Sequence, residues 1–169
     1  MTTALPLPSL PMEWRTPEFL TGLKAVAILD ELTPDPVGPP SCRARYVARD
    51  TAPRSARRGA ALAVRTWGMD ADTVDKAMLV VSELVTNAIS HTASRVVSMS
   101  VTRTAAATVR ISVGDSARGP LSPPVSPDGD EEHGRGLLLV AALADRWGIE
   151  QTSSGKQVWC ELDVEQVQP

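Results

Sequence analysis

The spacing of apolar residues changes from a helical to a strand period near the middle of this 169-residue chain. Before His91, two segments repeat apolar residues at the period of an amphipathic helix. After it, residues 96–103 and 108–113 form β-rich runs that alternate, and the short stretch 104–107 between them predicts a hairpin. The change of period indicates an α+β chain in which helices pack on one face of a mostly antiparallel sheet.

Local signals set the expected ends of these elements. A helix is expected over residues 55–67, with Ser55 as its N-cap and Gly68 just after its C-terminus. A second helix is expected over 71–91, opened by Asp70 or Asp72, and a third from Gly134 or Gly136 to about residue 145. The remaining elements are an edge strand at 42–48, a long loop at 116–133, and two final strands at 147–152 and 157–164.

Prolines divide the chain into two parts. Many of the 14 prolines fall within residues 1–40, where they interrupt regular structure. This segment is predicted to be an N-terminal extension that holds one helix at 17–32, with Thr16 as N-cap. Residues 41–169 are predicted to form the folded domain.

Composition excludes several classes of function. A net charge of -3 gives no reason to expect direct binding to nucleic acid. The cysteines, Cys42 and Cys160, match no zinc-site spacing and fit reduced thiols in the cytoplasm. No apolar stretch approaches the length of a membrane span, and the N-terminus lacks the pattern of a signal peptide.

A carboxylate and an amide are stacked on the predicted second helix. Glu83 and Asn87 are four residues apart, so they share a face that differs from the apolar stripe. An Asn oxygen is a suitable ligand for Mg²⁺, and a Glu can orient or deprotonate an attacking hydroxyl. The alternative is an ordinary amphipathic helix with two solvated polar residues.

Each of two further motifs is weak evidence for a binding site when it is taken alone. Asp115 ends an apolar strand, where it could accept a hydrogen bond from an exocyclic amine or simply cap a turn. Gly134, Arg135 and Gly136 precede an apolar helical run, and glycines at a helix start let backbone amides approach an anion. Their spacing matches neither a P-loop nor the dinucleotide-binding fingerprint.

Taken together and in this order, these motifs resemble the GHKL ATPases, the family of gyrase, Hsp90, histidine kinases and MutL. The most similar branch is that of the single-domain anti-sigma factor serine/threonine kinases of actinobacterial type. The resemblance covers roughly residues 43–164 and is most specific in three segments. These segments are Glu83-Leu84-Val85-Thr86-Asn87-Ala88, Gly134-Arg135-Gly136-Leu137 and Gly155-Lys156-Gln157-Val158-Trp159. It implies a Bergerat-type two-layer sandwich.

The resemblance also implies residue roles toward ATP and Mg²⁺. Asn87 would coordinate Mg²⁺, Glu83 would be the catalytic base, and Asp115 would bind the adenine amino group. The segment Gly134, Arg135, Gly136 and Leu137 would contact the phosphates. His91 would either line the nucleotide pocket or be a surface histidine.

Three functions follow from the resemblance. In the first, the protein sequesters a sigma factor and phosphorylates a serine or threonine of an anti-sigma factor antagonist, and it forms a homodimer, as is usual for similar kinases. The second is a non-catalytic ATP-binding interaction module. It is favoured because Asp115 is followed by Ser116-Ala117-Arg118-Gly119, whereas the family has Asp-x-Gly-x-Gly. The short lid at 120–132 favours it as well. The third, the catalytic half of a sensor histidine kinase, would require an acceptor-histidine hairpin that the 40 N-terminal residues cannot supply.

Overall fold

A single antiparallel sheet forms one layer of the protein. The computed structural model describes residues 33–34, 39–90, 94–105, 107–116, 135–153 and 155–163. The sheet has six strands in the order β1-β2-β3-β4-β6-β5, and each neighbouring pair is antiparallel. The strands are β1 (Thr33–Pro34), β2 (Ser41–Val47), β3 (Val96–Ala105), β4 (Thr108–Asp115), β5 (Arg146–Thr152) and β6 (Gly155–Asp163).

Three helices form the second layer. They are α1 (Ala52–Thr66), α2 (Ala71–Ser90) and α3 (Arg135–Leu143). Helix α2 lies in the centre, where it contacts α1, α3 and strands β3, β4 and β6. Its predicted apolar stripe is buried as expected, at Ala77, Val81, Leu84, Val85 and Ala88. The predicted α+β sandwich with helices on one face of the sheet is therefore confirmed.

Strand alternation separates two faces of the sheet. On β3, Val97, Met99 and Val101 are buried against the helices, whereas the intervening residues lie on the opposite side. The same alternation continues through paired residues, so that Val113 on β4 lies beside Met99 and Val158 on β6 lies beside Val113. We refer to these two sides as the helix-facing side and the outer face of the sheet.

The start of α1 differs from the prediction. Ser55 is not the N-cap, because the helix begins at Ala52 after Thr51, and Ser55 already donates its backbone N–H to the Thr51 carbonyl at 3.2 Å. Pro53 fits this first turn because an amide there would have no intrahelical acceptor. The predicted C-terminal signal is correct, since Gly68 follows the helix with a positive φ of 72°.

Asp70 is the capping residue of α2. Its carboxylate accepts hydrogen bonds from the backbone N–H and the hydroxyl of Thr73, at 2.8 and 2.7 Å. These bonds hold the pKa of Asp70 below its usual value, the hydroxyl bond being the larger cause. Of the two predicted openings of this helix, the one at Asp70 is thus observed.

The other boundaries shift by a few residues. The hairpin of β3 and β4 and the final pair β5 and β6 form as predicted, although β6 begins at Gly155 and not at Gln157. Strand β2 is not the edge of the sheet, because β1 pairs with it and extends the sheet into the segment predicted as an extension. The predicted helix at 17–32 and nearly all of the loop at 116–133 lie outside the described residues.

Candidate functional site

Helix α2 presents Glu83 and Asn87 on neighbouring turns, beside its buried stripe. Both side chains are half-buried, whereas Leu84 and Ala88, which follow them in sequence, are buried against the sheet and the other helices. Because residues four apart lie one above the other on a helix, the carboxylate and the amide border the same space. The structure therefore brings together the two polar side chains that the sequence singled out on this helix.

Gly136 lies directly against the Glu83 carboxylate. A Cβ atom placed on Gly136 would lie 2.6 Å from Oε2 of Glu83, closer than any real side-chain carbon would allow. Gly136 belongs to the first turn of α3, whose nine residues run from Arg135 to Leu143. The absence of a side chain at residue 136 thus lets the carboxylate of α2 reach the backbone at the start of α3.

Asp115 ends β4 on the helix-facing side of the sheet. It follows the alternation of Ile111 and Val113, and it is half-buried. Its register partner on β6 is Lys156. Strand β4 contacts α2, the helix that carries Glu83 and Asn87.

Gly155, in the hairpin of β5 and β6, lies against the backbone of Asp115. Its φ is 147°, and a Cβ atom there would overlap the carbonyl oxygen of Asp115 and approach Cα of Ser116 to 2.7 Å. No side chain can be accommodated at this contact, because backbone atoms and not a flexible side chain form it. The sequence marked Gly155 only as part of a family-like segment, and its contact with Asp115 is long-range in the chain.

A second contact at the end of β4 was not predicted. The hydroxyls of Ser94 and Ser116 lie 3.0 Å apart, and the Ser116 backbone N–H donates to Ser94 Oγ at 3.4 Å. Ser94 also donates to the Val96 carbonyl at 2.6 Å. These bonds tie the residue after Asp115 to the start of β3. Serines are so common in turns that no sequence pattern links these two residues.

Several predicted site residues are not placed by the structure. His91 and Gly134 lie outside the described residues, and Arg135 is described only as the first residue of α3. Leu137 is 8% exposed and belongs to the core that holds α3 against the sheet layer. Its described role is therefore packing, next to the Gly136 contact.

The described side chains match the chemistry of Mg-ATP. An Asn amide oxygen is an oxygen donor of the kind that Mg²⁺ accepts, and a helix start without a side chain at Gly136 leaves backbone amides accessible to phosphate. Asp115 offers a carboxylate acceptor for an exocyclic amine. No cluster of three or more His, Cys, Asp or Glu side chains that could hold a metal ion occurs among the described residues.

The family model for the histidine kinase-like ATPase domain matches residues 46–162. The chain belongs to this family. The matched range includes Glu83, Asn87, Asp115 and Gly136, the residues around which the site is built. No curated protein matches the chain.

Solved structures are similar to this chain at low sequence identity. One is the structure of the RsbU and RsbW domains of Rv1364c from Mycobacterium tuberculosis, with a TM-score of 0.51 and 19% identity, covering 72% of this chain and 32% of that one. Another is the histidine kinase domain of the blue-light activated histidine kinase from Erythrobacter litoralis EL346. It has a TM-score of 0.46 and 22% identity, covering 72% of this chain and 66% of that one. This chain thus spans about a third of the length of that solved Mycobacterium tuberculosis chain.

None of the helices in the described part of the chain combines the length and apolar character needed to cross a membrane.

Proposed function

We propose that this histidine kinase-like ATPase domain binds Mg-ATP between α2 and α3 and transfers phosphate to a protein hydroxyl. The observation that supports this most is the contact of Glu83 with Gly136 at the start of α3, with Asn87 one turn along α2. This contact sets a proton acceptor and a metal ligand beside the helix end that accepts phosphate.

Each described residue has one role in this proposal. Asn87 contributes its side-chain oxygen to Mg²⁺, and Asp115 accepts a hydrogen bond from the adenine amino group. Bound Mg²⁺ neutralises phosphate charge, which is the main requirement of phosphoryl transfer. Glu83 accepts the proton of the attacking hydroxyl as the new oxygen–phosphorus bond forms, so the product is a phosphoester and ADP leaves.

Calorimetric titration of Mg-ATP tests the binding part. Binding in the micromolar range is expected for the wild type, and both Asp115→Asn and Asn87→Ala should weaken it at least about tenfold through loss of a charge-assisted or metal contact. Asp50→Asn and Thr86→Ala are matched controls, because both residues are exposed, and Thr86 adjoins Asn87 on α2. A folded wild-type protein that binds no nucleotide would overturn the proposal.

The proposed acceptor is a serine or threonine of an anti-sigma factor antagonist, and the proposed second partner is a sigma factor. The support is the resemblance of the motifs to anti-sigma factor kinases, together with a fold shared with a structure that contains an RsbW domain. A cytoplasmic location and a homodimer belong to the same proposal. Radiolabelled transfer from ATP to a co-encoded antagonist, and its loss in Glu83→Ala, would test this assignment.

A non-catalytic ATP-binding interaction module is the second candidate. It is favoured by the Glu83 contact itself, because a carboxylate at a helix N-terminus stabilises that helix without any chemistry. It is also favoured by Ser116-Ala117-Arg118-Gly119 after Asp115, which departs from the family pattern. Binding of Mg-ATP without transfer to any co-encoded antagonist would select this function.

A further inference from the structure

A concave site lies on the outer face of the sheet, on the side away from the helices. Its position follows from strand register: Arg45 pairs with Ser98, Ser98 with Gly114, and Gly114 with Gln157. These four residues form one row across β2, β3, β4 and β6, and all four line the same cavity of about 450 Å³. The row alternates with the buried helix-facing residues, so these four residues lie on the side of the sheet opposite α2 and α3.

The lining of the cavity is positively charged. It includes Arg45 and Arg95 on the outer face. It also includes Asp115 and its register partner Lys156, whose positions in the strand alternation are helix-facing and which meet the cavity where β4 and β6 pair at one end. Three cations and one carboxylate leave a local charge of about +2. The whole chain carries a net charge of -3, so this concentration of positive charge is not a property of the surface in general.

These cations differ from others on the same face. Arg110 forms ion pairs with Glu150 and Glu161 at 3.2 and 3.1 Å, and Arg146 pairs with Glu161 at 3.1 Å. Within the described part of the chain, the side chains of Arg45, Arg95 and Lys156 make no ion pair or hydrogen bond. Among the described residues, Arg110 of β4 and Arg146 of β5 are therefore paired with carboxylates, whereas the cations that line the cavity are not.

The floor of the cavity is polar and internally bonded. Ser98 donates to the Gly114 carbonyl at 3.1 Å, and the Ser94–Ser116 contact closes one end. Gly114 has no side chain to fill the cavity, and a Cβ atom at this position would lie 3.0 Å from Ser98 Oγ. Since these hydroxyls are already bonded, the donors for a ligand on the outer face would come from the two guanidinium groups and the Gln157 amide.

We propose that this outer-face cavity binds a phosphate-type oxyanion, namely free diphosphate or the diphosphate group of a larger ligand. Guanidinium groups bind phosphate oxygens with paired hydrogen bonds, and the excess of positive charge suits a ligand with two or more negative charges. The volume exceeds that of one phosphate group and is within the usual range of small-molecule sites. The proposed site lies on the face of the sheet opposite the Glu83–Gly136 contact, although Asp115, the proposed adenine-binding residue, also borders the cavity.

Inorganic pyrophosphate is the probe, titrated without Mg²⁺ at fixed low ionic strength into the full chain. The readouts are calorimetry and the amide chemical shifts of the protein. Binding is expected to shift the amides of Ser98 and Gly114, and Arg45→Gln should weaken it at least about fivefold through loss of a charge-assisted contact. Added salt should also weaken it.

Two variants make the test specific. Arg43→Gln removes the same charge from the outer face of β2, but Arg43 does not line the cavity, so affinity should change less than about twofold. Asn87→Ala alters the proposed ATP site and should also leave pyrophosphate binding unchanged. A titration with ADP distinguishes free diphosphate from the diphosphate of a nucleotide. If Arg45→Gln weakens ADP binding, the site accepts the diphosphate of a nucleotide. If ADP binding is the same in Arg45→Gln, the site is restricted to free diphosphate.

Three results would overturn the proposal. The first is no binding of pyrophosphate to the folded wild type in the millimolar range. The second is an equal loss of affinity in Arg43→Gln and Arg45→Gln, which would indicate diffuse surface charge. The third is a set of shifts centred on Gly136 and abolished by Asn87→Ala, which would place the anion at the ATP site. The last result would overturn the outer-face site while supporting the proposed nucleotide site.

Discussion

Oε2 of Glu83 lies 2.6 Å from the position that a Cβ atom of Gly136 would occupy. The two residues come from different helices, α2 and α3, and neither could be exchanged for a larger one without changing this contact. Glu83 therefore has its carboxylate at a helix start that is favourable for any negative charge, its own or that of a phosphate group.

Gly136→Ala should reduce phosphotransfer without unfolding the protein. The new methyl group must displace the end of the Glu83 side chain, which can rotate at little cost, and Ala also favours the helix by about 1 kcal/mol over Gly. We therefore expect an unchanged or slightly higher free energy of unfolding. A displaced general base should lower the transfer rate about 100-fold.

Urea unfolding and single-turnover transfer measure these two effects separately. Leu138→Ala is the matched control, because Leu138 lies in the same helix and is 61% exposed. If Gly136→Ala transferred phosphate at the wild-type rate, Glu83 would not need its present position.

Glu83→Gln should separate binding of ATP from transfer. The substitution keeps the shape of the side chain and removes the negative charge beside the start of α3. ATP phosphates would then meet less repulsion, and we expect affinity to rise about two- to fivefold. Loss of the proton acceptor should lower transfer by about 100-fold or more.

Calorimetry and radiolabelled transfer measure the two changes. Glu150→Gln, on the outer face of the sheet, is the same chemical change away from α3 and should alter neither value. Unchanged transfer in Glu83→Gln would remove Glu83 from the chemistry and favour the non-catalytic function.

Gly155→Ala should be strongly destabilising, and Gly68→Ala is its control. Both glycines have positive φ, 147° and 72°, but only Gly155 faces an obstacle, the carbonyl of Asp115. At Gly68 nothing lies within 4 Å of a new Cβ atom, so only the cost of the left-handed backbone applies, about 1–2 kcal/mol. At Gly155 the backbone of β4 must also move, and we expect a loss of about 3 kcal/mol or more.

Urea unfolding of both variants measures this difference. Because the movement occurs at Asp115, Gly155→Ala should also weaken Mg-ATP binding under folded conditions, whereas Gly68→Ala should not. Equal destabilisation in the two variants would show that the Asp115 contact adapts easily.

The sequence predicted the parts of this fold that depend on local periodicity. The stripe from Ala77 to Ala88, the hairpin of β3 and β4, and the stacking of Glu83 and Asn87 all follow from residue spacing along one element. The missed features have other causes. Strand β1 has two residues, one of them Pro34, and is too short to show a period. Ser55 was predicted as the N-cap because serine is common at that position. The helix begins earlier, at Ala52, because Pro53 is tolerated in its first turn.

The site was predictable only as a set of separate motifs. Sequence spacing could propose Gly136 and Glu83 individually, but their contact depends on how α3 packs against α2. The contact of Gly155 with Asp115 likewise depends on the register of β4 and β6. The row of Arg45, Ser98, Gly114 and Gln157 needs three strand registers at once, so no local pattern reveals it.

Cys160 should make the protein less stable in alkaline solution. Burial raises the pKa of its thiol to about 12, from an ordinary value of 9.0. Above pH 9 the unfolded chain therefore loses this proton while the native state keeps it. The stabilisation from the buried neutral thiol is complete below pH 9 and is lost as pH rises toward 12, at up to about 1.4 kcal/mol per pH unit.

Urea unfolding between pH 8 and pH 10 tests this slope by comparing wild type with Cys160→Ala. The variant will be less stable at pH 8, because a buried side chain is truncated, but its stability should fall less steeply with pH. The native thiol should also resist alkylation at pH 8, since only the thiolate is nucleophilic, and should react once the chain is unfolded. Rapid native alkylation of Cys160, or identical slopes in the two proteins, would contradict the burial of this residue on β6.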